Sequence, residues 1–214
     1  KFLYSNYGFA IAGHVAEVAA GKPYEELLRE LLFEPLGMKS AGFGPPGARQ
    51  EPGSKQEKDE ADAPRGHTNR GEAVAPGPGA DNPPAIAPAG TVHASLADWA
   101  KYVALHLKGA KGDVKVGAIT LRQATFAKLH APSDGPAERY AMGWVVDRRA
   151  WAAGDHTVLW HSGSNTMWYC VTWLAPDPGF GVLVTTNVAT PEATKAVDEA
   201  CGVLIAEHAA RQAK

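Results

Sequence analysis

The chain is 214 residues long, 45% hydrophobic, and carries a formal charge of −2 at pH 7. This composition can fill a globular core, and the near-neutral charge offers no footprint for nucleic acid or an anionic membrane as partner. No apolar run approaches the roughly 20 residues of a membrane span, and Cys170 and Cys201 lack metal-ligand spacing and read as buried free thiols rather than a disulfide.

Residues 7–20 are expected to form a helix. Phe9, Ile11, Val15 and Val18 make an imperfect apolar stripe, Ser5 or Asn6 caps the start, and Gly21 ends it. A second helix begins near Pro23, with Tyr24, Leu27, Leu28, Leu31 and Leu32 on one face and Pro35 as its stop. From 42 to 90 large apolar residues nearly vanish and Gly, Pro and charges dominate, the pattern of a long loop. Residues 50–62 within it read as a solvated insertion.

Ser95, with Asp98 three residues on, starts a helix over 96–108 in which Trp99 and Val103 are core candidates. Thr120, with Gln123 three residues on, starts a shorter helix through Leu129, and His106 and His130 are placed on helix surfaces. From Tyr140 the period changes to strands at 142–146, 158–161, 167–174 and 180–186, with a Pro/Gly turn at 175–179. Thr190-Pro191-Glu192 opens a final helix whose Val197, Cys201, Leu204 and Ile205 are spaced to cover the sheet. The pattern is α+β, with a helical region over 1–139 and strands plus a covering helix over 140–214.

Two polar clusters stand out. Trp160-His161-Ser162-Gly163-Ser164-Asn165 separates two apolar strands, where Ser, Gly and Asn lower strand propensity. It reads as a hairpin turn or as a functional site held against local preference. Tyr4-Ser5-Asn6 lies directly before the first helix.

Together, Tyr4-Ser5-Asn6 and His161-Ser162-Gly163 resemble the second and third motifs of the serine β-lactamase and penicillin-binding-protein-like family, in its esterase and D-peptidase branch. The glycine turn and helix from Ala87 to Trp99, and the helix pair from Tyr7 to Met38, are similar to that family too, so the resemblance covers nearly the whole chain. It implies the β-lactamase/transpeptidase-like fold. The family's first motif, Ser-x-x-Lys, occurs nowhere among the 214 residues. Thr125-Phe126-Ala127-Lys128 has its spacing, but with Thr in place of Ser and after Tyr4 rather than before it. The chain is therefore read as the C-terminal part of a longer family member, with the first strands and the nucleophile on a missing N-terminal segment or a companion chain.

The resemblance assigns roles. An upstream Ser attacks a carbonyl while a Lys and Tyr4 manage its proton. His161, in place of the more familiar Lys, supplies part of a positive field or a hydrogen bond to Tyr4. Asn6 binds the substrate amide or orients the Lys, Gly163 lets the substrate approach the strand, and the Ser164 N–H is an oxyanion donor. Residues 67–90 form a rim of the cleft. The histidines show no metal spacing, and no metal or cofactor is expected. The expected activity is hydrolysis of esters or D-amino-acid peptides through an acyl-serine. The alternatives are a β-lactamase and a truncated, non-catalytic binding protein. The family favours a periplasmic or secreted location.

Overall fold

The computed structural model describes residues 3–47, 63–77, 79–132, 139–165 and 167–212. The insertion expected at 50–62 lies outside them.

Helix α1 (Asn6–Ala20) starts at Ser5, whose Oγ accepts the Gly8 N–H at 3.1 Å, and ends at Gly21 with φ 66°. Ser5, not Asn6, is the cap. Three of the four residues of the expected stripe face outward: Ile11, Val15 and Val18 are 65%, 61% and 71% exposed, while Phe9 is half-buried. The inward face is built on Gly13 instead, where an added Cβ would stand 2.2 Å from Pro88 Cγ. Small residues let α1 lie directly on α4 (Ala87–Gly90), and Tyr7, Ile11, Val15 and Val18 are exposed.

Helix α2 (Tyr24–Leu28) runs through a π-helical turn (Arg29–Phe33) into α3 (Glu34–Leu36). Pro35 does not stop it. Pro35 lies in the last turn of this continuous run, which ends at Gly37 with φ 65°. Phe33, Met38 and Phe43 close a core beneath it.

The long loop contains structure. Its strand β1 (Gly42–Phe43) pairs antiparallel with β2 (Val92–His93), and a 3-10 turn (Pro84–Ile86) leads into α4. Helix α5 (Leu96–Lys111) begins as expected, with the Ser95 Oγ accepting the Asp98 N–H at 3.3 Å. The Asp98 carboxylate in turn takes the Ser40 N–H, the Ser40 hydroxyl and Lys101 at 2.7, 2.6 and 2.6 Å. Two anchors therefore tie α5 to the first helices.

A hairpin of β3 (Val114–Val116) and β4 (Ile119–Leu121) follows, turning at Gly117 with φ 57°. Thr120 lies inside β4 and caps nothing, which corrects the expected helix start. Helix α6 (Gln123–His130) opens instead with the Gln123 N–H donated to Asp113 Oδ1 at 2.8 Å. His106 and His130 are not surface residues of two helices. Bending α6 back along α5 buries His106 to 4% exposure against His130, Phe126 and Trp144.

Strands β5 (Val145–Arg148), β6 (Thr157–Ser164), β7 (Tyr169–Ala175) and β8 (Phe180–Thr186) form one antiparallel meander in that order. One face sets Leu159, Leu174 and Leu183 against Val103 of α5, and the other sets Val171 and Val182 against Val197 and Cys201 of α7 (Pro191–Gln212). Burying each such aliphatic side chain contributes about 1.5–3 kcal/mol. Thr190 caps α7 through the Ala193 N–H at 3.2 Å. Leu204 is 47% exposed, and Ile205 packs in its place. Cys170 and Cys201 are free, on opposite sides of the sheet. Among the described residues, β5 and β8 each have a strand neighbour on one side only.

Candidate active site

The Ser162-Gly163-Ser164 run does not turn. Strand β6 carries it to Ser164, with His161 opposite Thr172, Gly163 opposite Cys170 and Ser164 opposite Tyr169. Continuous pairing with β7 overrides the weak local propensity. On its other side β6 is paired only as far as Trp160, opposite Val145. Among the described residues, 161–163 thus have a strand neighbour on one side only. His161 and Gly163, two apart, share the sheet face that carries Leu159. Gly163 is exposed, and an added Cβ would meet nothing nearer than Cys170 Sγ at 3.8 Å.

The fold brings Tyr4 to this edge. Tyr4 precedes α1, is half exposed, and its ring lies 6.4 Å from the His161 ring. A third ring completes the cluster. Tyr140 stands edge-on to Tyr4 at 5.7 Å and 86°, and its hydroxyl meets His161 Nε2 at 2.8 Å. The phenol bonded to His161 is therefore Tyr140 rather than Tyr4. Sequence reading passed over Tyr140, whose only signal is its position at the change from helical to strand period.

Burial sets the electrostatics. It pushes Tyr140 up to about 12, with Tyr4 adding to the shift, so the phenol keeps its proton. Burial also lowers His161 below its ordinary value, opposed by a backbone hydrogen bond at Ser162. The ring is neutral at neutral pH, so it adds no fixed cation here. Thr172, opposite His161 and 3% exposed, has a buried hydroxyl with no hydrogen-bond partner among the described residues. Asn6 and Ser164 are exposed at the start of α1 and the end of β6.

Part of the 67–90 segment borders this edge. Asn165 donates to Asp81 Oδ1 at 2.6 Å, and the His67 N–H reaches the Asn187 carbonyl at 2.8 Å. A separate groove of about 480 Å³ lies between α6 and the beginning of β6, lined by His130, Asp155 and Asp177 among others, and includes neither Tyr4 nor His161. Among the described residues no group of three His, Cys, Asp or Glu could hold a metal, and no helix is long and apolar enough to cross a membrane.

A family model described as beta-lactamase matches residues 1–206, so the chain belongs to the beta-lactamase family. No protein of curated function matches it by sequence. Its fold is similar to three solved structures. A penicillin-binding protein from Bacillus halodurans superposes with a TM-score of 0.69 at 18% identity, over 95% of this chain and 56% of that one. The octameric penicillin-binding protein homologue from Pyrococcus abyssi gives 0.66 at 22% identity, over 95% and 43%. The D-amino acid amidase from Ochrobactrum anthropi SV3, complexed with D-phenylalanine, gives 0.64 at 20% identity, over 96% and 62%. The chain spans roughly half the length of these relatives.

Proposed function

We propose that the chain provides the Tyr-x-Asn and His-x-Gly side of a serine hydrolase site that cleaves esters or D-amino-acid amides and peptides. The carrying observation is the meeting of Tyr4 and His161, from opposite ends of the sequence, beside the part of β6 that runs past its pairing with β5. In this reading a substrate strand lies along residues 161–164, Gly163 leaves room for it, and the Ser164 N–H donates to the developing oxyanion. Asn6 binds the substrate amide. A serine Oγ attacks the carbonyl carbon, and its proton passes to Tyr4 and the paired Lys. It returns to the leaving oxygen or nitrogen as that bond breaks, and water then cleaves the acyl-serine.

That serine and lysine belong to a segment other than these 214 residues, which contain no Ser-x-x-Lys. Two features of the fold support such a segment. Tyr7, Ile11, Val15 and Val18 form a stripe of 74%, 65%, 61% and 71% exposed residues that starts beside Tyr4 and would seat an apolar helix. The outer edge of β8 would accept a further strand. The neutral His161 favours esters and amides over β-lactams, whose carboxylate calls for a permanent cation. The name of the D-amino acid amidase points to the same substrate class. Exposure to a fluorophosphonate, followed by intact-mass measurement of every polypeptide present, tests the reading. An adduct on a Ser-x-x-Lys serine supports it, and a family member bearing that motif but refusing the label would count against it.

A further inference from the structure

We infer that Tyr140 is the positioning residue of His161: its hydroxyl donates to Nε2, holding the imidazole as the Nδ1–H tautomer and fixing its plane beside the strand edge. The assignment deepens the reading of His161 as a site residue and rests on it. The two atoms are 2.8 Å apart, within good hydrogen-bond range. A neutral imidazole has one N–H and one lone pair, whereas a hydroxyl can donate to the lone pair or accept from the N–H, so the second contact of the ring decides. Burial of both groups keeps Tyr140 protonated and His161 neutral. A Ser162 backbone hydrogen bond favours the protonated ring and so accepts a ring N–H; with Nε2 facing Tyr140, that N–H is on Nδ1, and the lone pair at Nε2 takes the Tyr140 proton.

Tyr140 is well placed to hold a ring still. Its backbone bridges Val145, and the next residue, Ala141, is buried and donates to the Trp144 carbonyl at 2.7 Å. The phenol is thus anchored to the start of β5, not to the helix that carries Tyr4. With Nε2 occupied, His161 does not serve as a base. It presents a neutral, oriented ring, and Tyr140 also sets the edge against which Tyr4 rests.

The test is NMR of the 214-residue chain with ¹⁵N-labelled histidine at pH 8, the His161 signals being those lost in His161→Asn. The expected spectrum shows a proton on Nδ1 and a lone-pair nitrogen at Nε2. Tyr140→Phe should move the neutral population toward Nε2–H, the form free imidazoles favour. A wild-type Nε2–H tautomer, or a Tyr140→Phe protein with the wild-type tautomer, overturns the inference. If Tyr140→Phe does not fold, the wild-type tautomer alone decides. No turnover is involved, so failure of the acylation experiment leaves this assignment standing, and an Nε2–H result leaves the hydrolase reading standing.

Discussion

His106 and His130 meet inside the fold, Nδ1 to Nε2 at 2.9 Å, under a roof of Tyr102, Phe126 and Trp144. Burial, and for His106 also the facing His130, push these imidazoles down to about 3 and about 4. Both are neutral in the folded protein at neutral pH. In the unfolded chain each binds a proton near 6.5. Below that pH the unfolded state holds more protons, so stability falls as pH drops from about 6.5 toward 4. Urea midpoints measured between pH 7.5 and 4 should show this decline. His106→Phe removes one of the two groups and should make the slope markedly shallower; an unchanged slope would place the acid sensitivity elsewhere.

Asp98 acts in the opposite sense. Hydrogen bonds from Lys101 and then Ser40 hold its carboxyl down to about 2. A depressed acid contributes stability that is complete above the unfolded value near 4 and is lost as pH falls through 2. Asp98→Asn should lower the melting temperature at pH 7, and the two proteins should converge as pH approaches 2. A constant gap across that range would mean that the carboxylate's charge contributes nothing.

Gly13 sets the seat of α1, and through it the position of Tyr4. A methyl group there would collide with Pro88. Gly13→Ala is expected to destabilise the fold by about 1–3 kcal/mol despite the better helix propensity of alanine. Urea titration checks the size. A gain in stability would show that α1 and α4 separate easily.

Gly163 is a different kind of glycine. Its Cβ would find room, with Cys170 Sγ at 3.8 Å. Gly163→Ala should therefore melt within a few degrees of wild type. In protein that carries the serine-bearing segment, its acylation rate should fall on the order of 10–100-fold, because the methyl occupies the substrate's path. Equal rates would remove the strand edge from the substrate path.

The sequence made some features readable and hid others. Caps at Ser95 and Thr190, and the strand at 180–186, were legible because local chemistry and tertiary structure agree there. The two motifs flagged Tyr4 and His161 but not their geometry. Tyr140 was hidden because its contact with His161 joins residues 21 apart in sequence, with no local pattern. The α1 stripe misled because amphipathicity shows which face is apolar, not whether these residues cover it. The buried histidine pair was missed for a related reason: it depends on α5 packing against α6. The β3–β4 hairpin hid behind a Thr120/Gln123 spacing that imitates a capping box.

The most direct measurement is the site of fluorophosphonate attachment, mapped by mass spectrometry on this chain alone and on the polypeptide or complex from which it is obtained. The expected result is an adduct on a serine followed three residues later by lysine, outside the 214 residues, and no adduct on the isolated chain. An adduct on a serine within the chain, or ester turnover by the chain alone, would contradict the division of the site between Tyr4 and His161 here and a nucleophile elsewhere.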